Sequence, residues 1–172
     1  PHEDYLDIEG TLTNRSGEAW KNSFAFNCIN AGASPTLRDH EAVRHYVGYE
    51  DAPRRLTVIP RVFGPRPTVQ LYGVEGKPGP YDIPFVAGFQ SSPRDVALEP
   101  WMAIVARDGE RLLAVASKPA LFLFQNMEYS CIHSAPAFGR LGPGETGTAL
   151  TRVYFTRQPL ADWYQRMKRE MA

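Results

Sequence analysis

The sequence predicts an all-β fold, an antiparallel β-sandwich of immunoglobulin-like or jelly-roll-like kind, with one C-terminal amphipathic helix. Three observations predict it. About nine stretches of strand length either alternate apolar with polar residues or run apolar throughout. Glycine (14) and proline (15) punctuate those stretches at short intervals, as the turns between short strands require. A helical period with helix end signals is clear in one place, near residues 159–171. With 172 residues the chain can bury its own core, and no repeat or linker divides residues 1–172, so a single domain is expected.

Tyr5–Thr13 alternates strictly, with Leu6, Ile8 and Leu12 on one side, and reads as a half-buried strand. Asn14-Arg-Ser-Gly17 supplies turn chemistry. Ser23–Ile29 places Phe24, Phe26 and Cys28 on one face, and residues 5–29 read as an antiparallel pair joined through a loop containing Trp20. From 30 to 55 the pattern breaks into a long polar connection, with a short helix predicted near 36–46; connections of this length are commonly functional. Strands resume at 55–59 and 68–72, separated by Pro60, Gly64, Pro65 and Pro67, and again at 83–87 after a turn ending in Pro80. Such proline density confines strands to edges or short pieces.

Asp108-Gly109 between 102–107 and 111–117 is a hairpin signal. Stretches 121–124 and 129–133 follow around Gln125-Asn126, and the last strand covers 147–156, with Thr151, Val153 and Phe155 on one face and Arg152 and Tyr154 on the other. In 159–171 a leading proline, apolar residues at 160, 163, 164, 167 and 171, and late basic residues describe an amphipathic helix whose stripe should cover a sheet face or edge. The turns Asn14-Arg-Ser-Gly-Glu18 and Pro143-Gly-Glu145 resemble those of bacterial immunoglobulin-like and carbohydrate-active sandwich domains, a resemblance of turn chemistry that singles out no family.

Composition narrows the partners. Nineteen basic and 19 acidic residues cancel, which leaves no electrostatic footprint for nucleic acid and no polybasic run for an anionic membrane. No apolar run reaches helix-spanning length. The chain opens at Pro1-His-Glu-Asp4 without an initiator methionine or signal-peptide pattern, as a trimmed or processed segment would; no compartment can be read from it. A small polar ligand, a glycan or a second copy of the chain is the expected partner.

The chemistry-bearing residues are few. Cys131 and His133, two apart on a strand, share a face, and Asn27-Cys-Ile-Asn30 reads like Ser130-Cys-Ile-His133. Three readings stand open: two buried thiols behaving as small hydrophobes, a disulfide between early and late strands, or a metal or catalytic thiol. As a metal ligand or general base, His133 would be completed from the polar connection by Asp39, His40 or His45. There is no His-x-His pair, so no metal site is firmly marked, and no motif requires a cofactor. Gly-x-Ser-x-Gly, Walker and Gly-x-Gly-x-x-Gly patterns are missing, and carboxylate pairs such as Glu50-Asp51 sit on polar loops.

Aromatic residues near strand ends, Trp20, Tyr46, Tyr49, Tyr72, Tyr81, Phe89 and Trp101, have Asn30, Arg38, Arg44 and Arg94 near them in sequence. Rings flanked by hydrogen-bonding groups suit the apolar faces and hydroxyl edges of sugars. The leading expectation is therefore a small-ligand-binding sandwich, carbohydrate-binding or part of a carbohydrate-active protein, through Trp20, Asn30, Tyr46, Tyr49 and Trp101. The alternatives are a metal-dependent or acid/base enzyme centred on His133 with Asp39 and His45, and a structural or oligomerising domain.

Overall fold

A computed structural model describes residues 2–62, 68–77 and 90–172. The expected strand at 83–87, the turn residues Gly64, Pro65, Pro67 and Pro80, and the aromatic candidates Tyr81 and Phe89 lie outside the described residues. The architecture is the expected all-β sandwich of two packed sheets with one helix. In chain order the strands are β1 (Tyr5–Thr13), β2 (Trp20–Phe24), β3 (Ile29–Asn30), β4 (His45–Tyr49), β5 (Ala52–Arg55), β6 (Val69–Val74), β7 (Gln90–Ser91) and β8 (Ala97–Leu98). They continue with β9 (Trp101–Val105), β10 (Leu112–Lys118), β11 (Ala120–Asn126), β12 (Cys131–Leu141) and β13 (Thr146–Thr156), ahead of helix α1 (Leu160–Glu170). The first sheet runs β1-β13-β10-β9-β4-β5 and the second β2-β12-β11-β6-β7, with β3 added to β12 and β8 to β6. The second sheet is mixed, because β7 and β8 both pair with β6 in parallel.

Several local expectations change. Residues 5–29 are not one paired hairpin: β1 pairs with β13 in the first sheet, whereas β2 pairs with β12 in the second. The side chain of Asn14 explains the separation. Fully buried, it donates to the Glu18 and Leu141 carbonyls and accepts from Ser16, turning the chain from one sheet to the other. The 30–55 connection is shorter than expected and holds no helix at 36–46. It ends in a hairpin, β4–β5, and β4 docks on β9. Pro53 is accommodated because β5 is the sheet edge. The stretch 55–59 is a 3-10 turn at Leu56–Val58 after β5, not a strand.

Alternation in the first sheet sorts the core. Met102, Ile104, Val115 and Val153 face inward, toward Leu123 and Ile132 of the second sheet. Trp101, Ala103, Ala114, Ala116 and Tyr154 face outward and are covered by Trp163, Tyr164 and Met167 of α1. Small alanines on the outer face leave room for the four large rings, which explains why β9 and β10 read apolar on both faces. The helix also corrects the burial of β1. Leu6 and Ile8 are exposed while Tyr5 and Asp7 are half-buried beside α1. There Arg152 holds both oxygens of Asp7, at 2.6 and 2.8 Å, reaches Glu170 at 2.9 Å and stacks 3.9 Å over the Tyr5 ring. The apolar stripe of the helix is thus used within the chain.

Candidate metal centre

The outer face of the second sheet carries a smaller apolar cluster: Val69, Leu71, Phe122, Phe124, Ala135 and Ala137, with Phe24 against it. Its ladder places three ligand atoms. Asn30 pairs with Cys131, Ile29 with Ile132 and, at the far end, Phe24 with Ala137. Between them the Ala25 N–H donates to the Pro136 carbonyl at 3.0 Å. Where the ladder is interrupted Asn27 replaces it, its side-chain amide donating to the Ser134 carbonyl at 2.7 Å and its oxygen accepting the Ser134 N–H at 3.2 Å. This register brings Cys28 opposite His133 and diagonal to Cys131, all three on one face.

The result is a compact cluster. One ligand atom each from Cys28, Cys131 and His133 lies within 4.8 Å of the other two. The two sulfurs are 3.6 Å apart and both thiols are free; a disulfide would hold them at about 2.05 Å. Cys131 and His133 are 3% and 2% exposed, whereas Cys28 lies at the surface. The imidazole is fixed between aromatic walls, stacked on Phe26 at 4.7 Å and tilted against Phe124 at 4.9 Å. Its Nδ1 lies 2.7 Å from the Phe124 carbonyl. A carbonyl can only accept, so Nδ1 carries the proton and Nε2 keeps a lone pair for a ligand. A backbone carbonyl holding the other ring nitrogen is the usual support of a metal-binding histidine.

Burial governs the electrostatics of the two inner residues. Burial pushes the His133 pKa down to about 4, against the pull of the Phe124 carbonyl. Burial first, and then the neighbouring Cys28 thiol, push Cys131 up to about 12. At neutral pH the buried pair is a thiol and a neutral imidazole. That is not the thiolate–imidazolium pair of an activated nucleophile. A metal ion takes histidine in this neutral form and displaces protons from thiols.

The other candidates stand elsewhere. Asp39 and His45 form a separate buried pair, Asp39 Oδ2 accepting from His45 Nδ1 at 2.9 Å and from the Arg44 N–H at 2.7 Å. Burial works to raise the Asp39 pKa, yet these bonds hold it below the usual carboxylate value. His40 lies at the surface with Nδ1 against the Met127 carbonyl at 2.9 Å. None of the three joins the Cys28–Cys131–His133 group.

Nor do the expected sugar-binding residues converge. Trp20 and Asn30 pair with Leu141 and Cys131, at opposite ends of β12. Asn30 is engaged locally, its Oδ1 accepting the Gly32 N–H. Tyr46 and Tyr49 pack against opposite faces of the first sheet. Trp101 is 0% exposed beneath α1, so it offers no ring face to a ligand. The alike tetrapeptides around Cys28 and Cys131 were the signal for the cluster, while the walls Phe26 and Phe124 had none beyond being aromatic.

No protein-family model, curated protein or solved structure matches this chain. Among the described residues no helix is long and apolar enough to cross a membrane.

Proposed function

We propose that this sandwich binds one thiophilic metal ion through Cys28 Sγ, Cys131 Sγ and His133 Nε2, and that this centre is its functional site. The observation that carries the reading is the convergence of three soft donors with the imidazole already held in the ligating tautomer. Two thiolates on one ion, with metal–sulfur bonds of about 2.3 Å, stand about 3.8 Å apart at tetrahedral angles. The observed 3.6 Å is close to that spacing. Phe26 and Phe124 fix the ring, and the exposed Cys28 gives an ion a route in. The reading is ion binding, because two thiols and one imidazole converge on a single point.

The test is metal content and thiol count on protein purified without a histidine tag, before and after loading under reducing conditions. One ion per chain is expected, with both thiols protected while it is bound. Cys28→Ser, Cys131→Ser and His133→Ala should each lower retention. Failure to hold a stoichiometric ion under any loading, or undiminished retention in all three variants, overturns the proposal.

A further inference from the structure

We infer that the two sulfurs of this centre form an oxidation switch: a peroxide joins Cys28 to Cys131 in a reversible disulfide, and the ion is released. This deepens the reading above and rests on it. The first argument is distance. The sulfurs stand 3.6 Å apart as free thiols, so an approach of about 1.5 Å separates them from disulfide bonding distance. Cys28 is placed to make that approach, because it lies where the ladder to β12 is interrupted and the Asn27 side chain takes over the pairing with Ser134. The second argument is unequal access. Cys28 is exposed while Cys131 is 3% exposed, so an oxidant in solution meets Cys28, and the nearest thiol to the oxidised sulfur is then Cys131. The third argument is orientation: the Cys131 thiol has the Tyr129 carbonyl as acceptor at 3.8 Å, which leaves the sulfur lone pairs for Cys28.

The chemistry balances in two steps. The Cys28 sulfur attacks one oxygen of hydrogen peroxide, the O–O bond breaks, and a sulfenic acid and one water form. The Cys131 sulfur then attacks the Cys28 sulfur. The S–S bond forms, the S–O bond breaks, and the Cys131 proton leaves with the hydroxyl as a second water. The thiols are oxidised and the peroxide is reduced. A disulfide offers a metal no thiolate, so of the three converging donors His133 Nε2 alone remains.

The experiment treats reduced, ion-free protein with hydrogen peroxide and follows intact mass and thiol count. Expected are a monomer lighter by two hydrogens with both thiols lost, and recovery of both on adding dithiothreitol. Zinc and copper(I) are then offered, in separate anaerobic titrations against indicators, to reduced and oxidised protein. Whichever ion the reduced form holds, the oxidised form should hold about tenfold more weakly or worse. In Cys28→Ser, at an exposed position, the same peroxide dose should leave Cys131 unmodified, with unchanged circular dichroism. A sulfinic acid on Cys28 beside a free Cys131, a disulfide between two chains, oxidation of Cys131 in Cys28→Ser, or equal ion affinity before and after oxidation overturns this inference and leaves the metal-centre proposal standing. Binding of neither ion by the reduced protein overturns both.

Discussion

Replacing Trp101 by alanine separates a core residue from a ligand platform. In the structure the indole is sealed between β9 and α1, edge-on to Trp163 at 5.1 Å and tilted to Tyr164 at 5.5 Å. Its Nε1–H donates to Glu99 Oε2 at 3.0 Å, while Glu99 Oε1 accepts the Tyr164 hydroxyl at 2.6 Å. Truncation leaves a void that Ala103, Ala114 and Ala116 cannot fill and deprives a partly buried carboxylate of a donor. Tryptophan-to-alanine changes in such settings cost about 3–5 kcal/mol. With about 2–4 °C per kcal/mol for a chain of this size, the melting midpoint should fall by about 6–20 °C. Thermal unfolding followed by circular dichroism reads the shift, and Trp101→Phe, which keeps most of the volume, should recover more than half of it. A midpoint within about 2 °C of the parent would refute the packing argument. Lost glycan binding at unchanged stability would restore the platform reading.

Other substitutions probe neighbouring contacts. Gly48→Ala puts a Cβ 2.5 Å from Glu99 Cβ and 2.7 Å from Trp101 Nε1, so it should destabilise by about 1–3 kcal/mol in urea unfolding; a neutral result would show that Glu99 can move aside. Asp39→Ala leaves His45 Nδ1 buried without its acceptor beside an Nε2 that has no partner among the described residues, and about 1–3 kcal/mol should be lost, with β4 amides exchanging faster. Asp4, Asp7 and Glu170 all have folded-state pKa values below their ordinary ones: Arg166 bonding lowers Asp4, Arg152 bonding lowers Asp7, and for Glu170 burial is outweighed by Arg166, Tyr154 and Arg152. Their contribution is therefore fully present above the unfolded values near 4 and is lost as pH falls through the folded values. Arg152→Met should flatten the stability profile below pH about 4.5 relative to the parent; parallel profiles would refute the linkage.

Most of the architecture was legible because its signals are local. Period-two alternation gave β1 and β13, Asp108-Gly109 gave the β9–β10 hairpin, and a leading proline with a regular apolar stripe gave α1. Pairing was less legible. Nothing in 5–29 announces that the chain changes sheets at Asn14, since the deciding bonds reach the Leu141 carbonyl. The 36–46 segment has helical composition but lacks a stripe, and Asp39 binds Arg44 and His45 in a local loop instead. At the site, the shared face of Cys131 and His133 followed from spacing, and the match of the two tetrapeptides hinted at Cys28. The aromatic candidates failed to converge because proximity in sequence says little about which face of which sheet a ring occupies.

The proposed metal centre and the helix-covered layer occupy opposite outer faces of the sandwich. The helix closes the first sheet, its Trp163 and Tyr164 packing on Trp101 and Tyr154 of the strands, while Cys28, Cys131 and His133 stand on the outer face of the second with Phe124. Two full sheets lie between, joined by Ser117, Ser134 and Thr151. Changes at sites separated in this way without shared partners add to within about 0.5 kcal/mol. Trp101→Phe should therefore lower stability without changing metal affinity, and Cys28→Ser should do the reverse. The double variant should show both losses undiminished in unfolding and metal-competition experiments. Coupling well above that margin would mean that the sheets transmit strain between the faces, and that the proposed centre is built into the stability of the fold rather than carried on it.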